Sequence, residues 1–588
     1  MSFFIADSKI PIEQTSVGIT ATTGLNYDAG QQIDFHIDPQ QVKFFVGKDS
    51  YLQWDVKIQM PNDTNGRATR LMLDSEIGAQ SLIREIRIHD GNNNALLEEI
   101  VGYNIATMIK YNYDANESLR NKRALSEGAG GRRAPVGQQG TTWSYQNDAI
   151  NPYSIKNTTG EEASQFKNAS YQNVRCCLPL NTGIFSNDKV FPSMLTNGLR
   201  ISILLEDAVK CIRQMEGNMA NRKAPLNPYF HSVNGCATNS NGSLSANTLT
   251  KSFYVDATNG YWDPEHFPFV VGESFNFFTI SGATGSGVYY SASATTGNPI
   301  IEKIEYDTGP KLIKITTSAS FALSTSLTTI NSGSNVMYSM SSELGSPYNA
   351  TYQVSNVELF LQVVNMGANY ENDMMRRMKE GGTINYDFLS MTNYRYSQLS
   401  SDIVANIQIP IENRRMKSII CVPTDSSVYT STQQLTASGT YEIEGRVLLK
   451  ERELDFILNQ DQCGLKGISD HITNYQFLYD GRLQPSRLVD CSKTSSKVAV
   501  SQQHLVELEK SLSGAGITGQ SLLQFNKNFL IGRSLTAGGN GVYDGRGKQF
   551  ALQVNYQGTA PTKNKLWNNF CFHIRRMVVS GDNIMVEM

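Results

Sequence analysis

The sequence predicts an all-β protein, on three observations. Apolar residues recur every second position in well-separated segments, helical spacing is confined to a few short stretches, and polarity comes from amides and hydroxyls more than from charge. The chain has 588 residues, with 51 Lys+Arg against 54 Asp+Glu and only 18% charged residues, whereas Asn alone occurs 49 times. Asn, Ser and Thr satisfy turn backbones through their own side chains, so such a composition suits many strands joined by many turns.

Period two places successive side chains on opposite faces of a sheet. In Tyr51–Gln59, Trp54, Val56 and Ile58 alternate with Gln53, Asp55, Lys57 and Gln59, which predicts a strand with one wet face. Leu199, Ile201, Ile203 and Leu205 form a second stripe, and Val357, Leu359, Leu361 and Val363 a third. Phe550, Leu552, Val554 and Tyr556 form a fourth, followed by Phe570, Phe572 and Ile574. Met416–Val422 is apolar on both faces, as a strand between two layers must be.

Three helices are expected. After the turn Asp90-Gly91-Asn92, the residues Leu97, Val101, Ile105 and Met108 recur at intervals of four and three, with Glu98 and Glu99 early and Lys110 late, an order that suits the helix dipole. A second runs from an N-cap at Ser501 through Leu505, Leu508 and Leu512 to a stop at Gly514. The third covers Tyr370–Lys379. Strand runs broken by isolated helices exclude alternating βαβ units.

From about 216 to 350 the chain is dense in Ser, Thr, Asn and Gly, as in CATNSNGSLSANTLT, yet keeps strand patterns at Phe267–Ile280 and Ile300–Thr316. A structureless loop of that length is unusual in a compact domain, so an inserted β module is expected.

The search for chemistry returns little. No stretch approaches the ~20 apolar residues of a membrane-crossing helix, and the opening MSFFIADSKIPIE has neither a basic nor an apolar leader region, so secretion is not expected. The eight cysteines, without a C-x-x-C, read as reduced thiols packed as small hydrophobes in a reducing compartment. No P-loop, H-E-x-x-H or G-x-S-x-G is present. His36, His89, His231, His266, His471, His504 and His573 are scattered singly, which suits surface or core roles rather than metal ligation. Gly514-Ala515-Gly516-Ile517-Thr518-Gly519 matches G-x-G-x-x-G but follows a helix where a dinucleotide motif follows a strand, so it reads as a C-cap. Asp90-x-Asn92-x-Asn94 resembles the start of a calcium loop, but Ala95 replaces the required Gly, so a tight turn is expected. Arg120, Lys122, Arg123, Arg132 and Arg133 could meet phosphates, although a solvated interface loop fits them better. The first 25 residues hold one Lys and no Arg, which is not a nucleic-acid-wrapping arm. Catalytic, cofactor and metal residues are therefore expected to be none.

The order of segments resembles the double jelly-roll major capsid proteins of DNA viruses, nearest to the polinton-like virus and virophage kind. The stretches that carry the resemblance are IGAQSLIREIRIHDGNNNALLEEIVGYNIATMIKYNYDANESLRNKRALSE at Ile77–Glu127 and CCLPLNTGIFSNDKVFPSMLTNGLRISILLEDA at Cys176–Ala208. Thr351–Val364, Ile472–Val489 and the C-terminal FLIGRSLT, YDGRGKQFALQVNY and FCFHIRRMVVSGDNIMVEM follow in the family's order.

The resemblance implies two eight-stranded antiparallel jelly rolls with a few short helices. It places an N-terminal arm at 1–25, a first jelly roll at 26–425 interrupted by a surface tower at 216–350, and a second jelly roll at 426–588. It further implies a non-enzymatic homotrimer that tiles an icosahedral shell through trimer-to-trimer contacts, meets penton and minor or cementing proteins, resides in the virion and reads no nucleic-acid sequence. Two rival readings are an adhesin that binds glycans through Trp262, Tyr289 and Tyr290 of the 216–350 insertion, and a β-sandwich glycosidase, for which no acid pair stands out.

Overall fold

The structure is a computed structural model that describes residues 2–4, 13–59, 69–74, 76–114, 123, 126–128, 134–139, 142–146, 174–216, 233–236, 250–256, 275–281, 286–290, 292–294, 299, 301–307, 312–323, 335–339, 351–426, 465–469, 472–491, 502–518, 528–536, 541–556, 560–561, 564–581 and 583–587. Eight strands build a first sandwich: β1 (Glu13–Thr20), β2 (Gln32–Ile37), β3 (Phe45–Gln59), β4 (Ile83–Asp90), β5 (Leu96–Val101), β6 (Val174–Pro179), β7 (Leu199–Leu205) and β8 (Thr351–Asn365). Helix α1 (Tyr103–Asp114) lies between β5 and β6, and α2 (Ala368–Lys379) follows β8. The second sandwich contains β9 (Thr383–Gln398), β10 (Val404–Ile409), β11 (Met416–Asp425), β12 (Asn474–Tyr479) and β13 (Arg482–Asp490). After helix α3 (Gln502–Gly514) come β14 (Ile531–Ser534), β15 (Phe550–Asn555) and β16 (Lys565–Ser580), on which a short strand, Asn583–Glu587, folds back.

In the first sandwich one sheet has the order β6-β3-β8-β1 and the other β2-β7-β4-β5. The second repeats this with every number raised by eight: β14-β11-β16-β9 and β10-β15-β12-β13. Each neighbouring pair is antiparallel. Two facing sheets, each built on four principal strands in this interleaved order, are a jelly roll, so the chain is a double jelly roll. The repeat extends to the helices, since α1 and α3 each occupy the connection from the fifth strand to the sixth.

Burial follows the sequence stripes. Leu199, Ile201, Ile203 and Leu205 are all buried on β7, and each such side chain contributes about 1.5–3 kcal/mol relative to exposure. On β8 the stripe breaks twice. Asn356 adopts a left-handed conformation (φ 50°) and the register against β3 shifts between Ser355 and Glu358. A bulge of this kind moves later side chains to the other face. Tyr352 and Val354 are therefore inward before it, and Val357, Leu359 and Leu361 after it. A second shift between Phe360 and Gln362 buries Val364, where alternation had pointed to Val363. Every residue of β11 except Lys417 is buried, as expected of a strand between layers.

Several expectations are corrected. Leu97 and Val101 belong to strand β5, not to a helix; Gly102, at φ 75°, turns the chain directly into α1. The expected arm at 1–25 contains β1, which pairs with β8 along its whole length, and among the described residues before it Ser2–Phe4 runs parallel to β9. The boundary expected at 425/426 falls earlier, because β9 and β11 pair with β16 and β10 with β15, placing residues 383–425 in the second sandwich. The insertion is also not confined to 216–350. Because successive strands alternate in direction, the connections leaving β3, β5 and β7 all emerge at one end of the first sandwich. There Thr69–Leu73 pairs with Ile212–Glu216, and the Thr142–Gln146 strand pairs with Ile301–Asp307. Of the two strands expected inside it, Ile301–Asp307 and Leu312–Leu323 form a hairpin, and Phe275–Ser281 accounts for the described part of the other.

Candidate functional site

Among the described residues no group of three His, Cys, Asp or Glu side chains could hold a metal. His504 and His573 are buried core residues. His504 Nδ1 lies 3.1 Å from Tyr475 Oη, and burial pulls its pKa down to about 4. His573 Nε2 lies 3.3 Å from Thr392 Oγ1, and burial, with Arg575 nearby, lowers its pKa to about 3. Both rings are thus neutral near pH 7. His231, His266 and His471 fall outside the described residues.

The G-x-G-x-x-G match caps α3. Gly516 has φ 74°, Ile517 N donates to Leu512 O at 2.9 Å and Gly516 N to Ser513 O at 3.1 Å. This is a Schellman cap, with Ile517 and Leu512 sharing one apolar cluster. The calcium-like stretch is a tight turn in which Asp90 Oδ1 accepts from the amides of Asn94 (2.6 Å) and Ala95 (2.7 Å). Cys176, Cys211, Cys421, Cys491 and Cys571 are buried.

What the fold builds instead is a seam between the sandwiches. From α1, Ile105, Met108, Ile109, Tyr111 and Tyr113 pack with Leu508, Leu512 and Ile517 of the α3 region and with Ile420, Val422, Phe570 and Phe572 on the outer face of the second sandwich. Ile384, Tyr386 and Phe388 of β9 enter the first sandwich's core cluster. The even-numbered phenylalanines of β16 therefore face the seam, while Trp567 and Cys571 face their own core.

Polar groups stitch this apolar contact. Glu98 on β5 is fully buried and accepts from Gly183 N (2.7 Å), Ile184 N (3.1 Å) and Ser390 Oγ of β9 (2.7 Å). Burial raises its pKa even against these donors and Arg575. Asn393 Nδ2 donates to Val101 O at 3.0 Å, and Tyr113 Oη to Asn528 O at 2.7 Å. Gly183 is required where it stands, since a Cβ there would lie 2.4 Å from Leu389 O and 2.8 Å from Glu98 Oε1. Glu98 and Gly183 lie in the two stretches on which the family resemblance rests.

A second buried cluster anchors the chain after α1. Glu127 Oε2 accepts from Tyr111 Oη (2.7 Å) and Gln80 Nε2 (3.2 Å), while Tyr103 Oη donates to Gln80 Oε1 at 2.8 Å. Burial pushes Glu127 up to about 7 despite Tyr111, Arg123 and Gln80. Arg123 is thus no part of a solvated basic loop: its guanidinium lies 3.4 Å from the centre of the Tyr111 ring and 3.8 Å from Glu127. Arg120, Lys122, Arg132 and Arg133 lie outside the described residues, as does Trp262. Tyr289 and Tyr290 fall on a strand paired with Phe278 and Phe277, and no observation supports the glycan-binding alternative. A cavity of about 370 Å³ opens along the seam between Lys110, Asn181, Asn187, Phe388, Leu389 and Ile517.

No family model and no curated protein matches this chain. Among solved structures it is similar to the Faustovirus major capsid protein, at 10% identity and a TM-score of 0.44 over 98% of this chain and 92% of that one. It is also similar to the mavirus major capsid protein, at 9% identity and a TM-score of 0.34 over 99% and 91%. The Sulfolobus turreted icosahedral virus major capsid protein aligns at 8% identity with a TM-score of 0.31 over 95% and 96%.

Proposed function

We propose that this chain is a major capsid protein, a structural and non-enzymatic subunit that trimerises into a pseudo-hexameric block and tiles an icosahedral shell in the virion. One observation carries the reading: two complete jelly rolls of identical strand order stand side by side in one chain, joined by a buried seam that fixes their relation. Three such chains present six similar sandwiches, and a six-sided block tiles a facet through repeated modest contacts. The sequence resemblance supports the same reading. Near-neutral net charge suits it too, because strong like charge would oppose dense packing of many copies.

On this reading the strands gathered at one end of the first sandwich form a tower on the outer surface, where loops can grow without disturbing the shell. Penton and minor or cementing proteins complete the particle, and assembly takes place in a reducing host compartment. Mass measurement and negative-stain imaging of the purified full chain test the proposal. Trimers or closed shells are expected; a monodisperse monomer at every concentration overturns it.

A further inference from the structure

The cavity along the seam has two unlike walls. The first sandwich lines it with polar groups: Lys110 of α1, the buried Asn181 after β6, and the exposed Lys48 and Asp188. The second sandwich lines it mainly with apolar ones, Leu389 and Met391 of β9, Ile517 after α3 and Phe572 of β16. At about 370 Å³ it stands at the small end of the range that holds organic ligands.

The charges around this cavity do not cancel. Asp387, which also lines it, is taken by Arg576, whose Nε and Nη2 lie 2.6 and 2.7 Å from its two oxygens. That leaves Asp188 against two lysines, neither of which forms an ion pair among the described residues. Water solvates the exposed Lys48 and Asp188, whereas Lys110 is half-buried. Among the described residues the Lys110 ammonium, with three N–H groups, has one hydrogen-bond acceptor, Asn181 Oδ1 at 3.1 Å. Burial lowers its pKa and Arg123 adds to this, while Asp114 and Glu127 oppose it. A cation withdrawn from water with so little to replace that water is stabilised by an anion placed beside it.

We propose that the seam cavity binds a small aliphatic monocarboxylate, its carboxylate on the Lys110 ammonium and its tail against Leu389, Met391 and Ile517. The single excess positive charge selects a monoanion over a phosphate dianion, and the apolar wall selects a molecule with a tail over a bare inorganic anion. Head and tail then rest on different sandwiches. The ligand binds only where the seam is closed, so it stabilises the folded chain by mass action. Binding of this kind is independent of any assembly of the chain into a larger particle.

Calorimetric titration of the purified full chain with octanoate tests this, beside acetate, which lacks the tail, 1-octanol, which lacks the charge, and inorganic phosphate. One octanoate per chain is expected, bound about tenfold or more tighter than any of the three, with a rise in melting temperature as it saturates. Lys110→Met is expected to weaken octanoate about tenfold and leave 1-octanol unchanged, a split that a merely structural role for the lysine would not produce. Leu389→Trp, at a cavity-wall position 37% exposed and so able to take a larger side chain, is expected to abolish both. Absence of saturable octanoate binding overturns the proposal, and so does binding that both variants leave intact, which would place the ligand elsewhere. Equal affinity for octanoate and 1-octanol would reveal an apolar hole without an anion site and overturn it as well. Should Lys110→Met fail to fold, the ratio of octanoate to 1-octanol affinity in the parent chain and its loss in Leu389→Trp still decide.

Discussion

The two sandwiches share one strand order but not one pattern of burial. In the first, the sheet containing β3 and β8 turns Gln53, Lys57, Glu358 and Gln362 outward, none of them buried. In the second, the equivalent β11 and β16 bury both faces, because α1 and α3 lie across the outer side on Ile420, Val422, Phe570 and Phe572. Topology therefore does not decide amphipathicity; what covers the sheet does. A strand apolar on both faces in an otherwise alternating protein marks a seam.

Phe570 and Phe360 make the comparison sharpest, since each projects from the last strand of its sandwich toward the outer side. Phe570 is fully buried in the seam, whereas Phe360 is half-buried against Tyr51, with ring centres 5.2 Å apart. Phe570→Ala is expected to cost ~3–5 kcal/mol through lost burial and a residual cavity. Phe360→Ala should cost well under half of that. Denaturant midpoints of both variants at a common slope measure the difference, and equal losses would mean that the seam is no drier than the outer face.

The outermost pairing of the third and eighth strands differs in the same sense. In the first sandwich Gln59 lies opposite Thr351; in the second, Asp425 lies opposite Lys565, with Nζ 2.5 Å from Oδ1 and both side chains almost wholly buried. Lys565→Met strands a buried carboxylate and is expected to cost ~3–5 kcal/mol, while the double change of Lys565→Met with Asp425→Leu recovers most of the loss. Thermal unfolding of the three proteins checks this. No recovery in the double variant would show that the pair is held for its charges and not merely tolerated.

Much of this architecture was readable from the stripes, and the failures have physical causes. Leu199–Leu205 and Tyr51–Gln59 alternate because one face is wet, so periodicity finds them. Leu97, Val101, Ile105 and Met108 mimic one helix because β5 passes into α1 across a single glycine, and spacing alone does not register the change. The partner of a strand is equally invisible: nothing local to β11 says that it pairs with β16, some 150 residues later. The seam was legible only in hints, in the two-faced apolarity of Met416–Val422 and in the stretches around Glu98 and Gly183. Glu98 itself looks like a surface helix carboxylate in the sequence, and only the fold brings Gly183, Ile184 and Ser390 around it.

The connection after the fifth strand offers a pH test, since the first sandwich anchors it through buried Glu127 and the second ends α3 on an uncharged glycine cap. The folded carboxyl of Glu127 is raised to about 7 from an ordinary 4.5, so the folded state holds a proton that the unfolded chain releases. Its stabilising contribution is complete below about pH 4.5 and is lost as pH rises through about 7. A difference of roughly 2.5 in pKa at ~1.4 kcal/mol each gives a decline of about 3.5 kcal/mol across that window. Glu127→Gln, which stays neutral, should flatten that part of the profile. Denaturation at pH 5 and pH 7.5 checks it, and a parallel decline in wild type and variant would assign the effect to another group.

The smallest expected effect separates two ion pairs of like geometry. Arg175 grips Asp55 across β6 and β3 on the first sandwich, at 2.9 and 3.2 Å, and Arg576 grips Asp387 across β16 and β9 on the second, at 2.6 and 2.7 Å. The Arg175 side chain is 59% exposed and that of Arg576 only 23%. Burial would raise Asp387, but the guanidinium of Arg576 overrides it and holds the carboxyl below its usual range. Water reaches the Arg175 guanidinium, and the buried Asp55 keeps a donor in Asn356 Nδ2 at 2.8 Å when the arginine is removed, so Arg175→Ala should fall within ~0.5 kcal/mol of wild type, whereas Arg576→Ala, beside the seam, should cost ~1 kcal/mol. Adding salt should shrink the first loss further and leave the second nearly unchanged, because screening acts chiefly on charges that water reaches. If salt erased both equally, the second pair would be as wet as the first, and the two sandwiches would differ less at this edge than their burial implies.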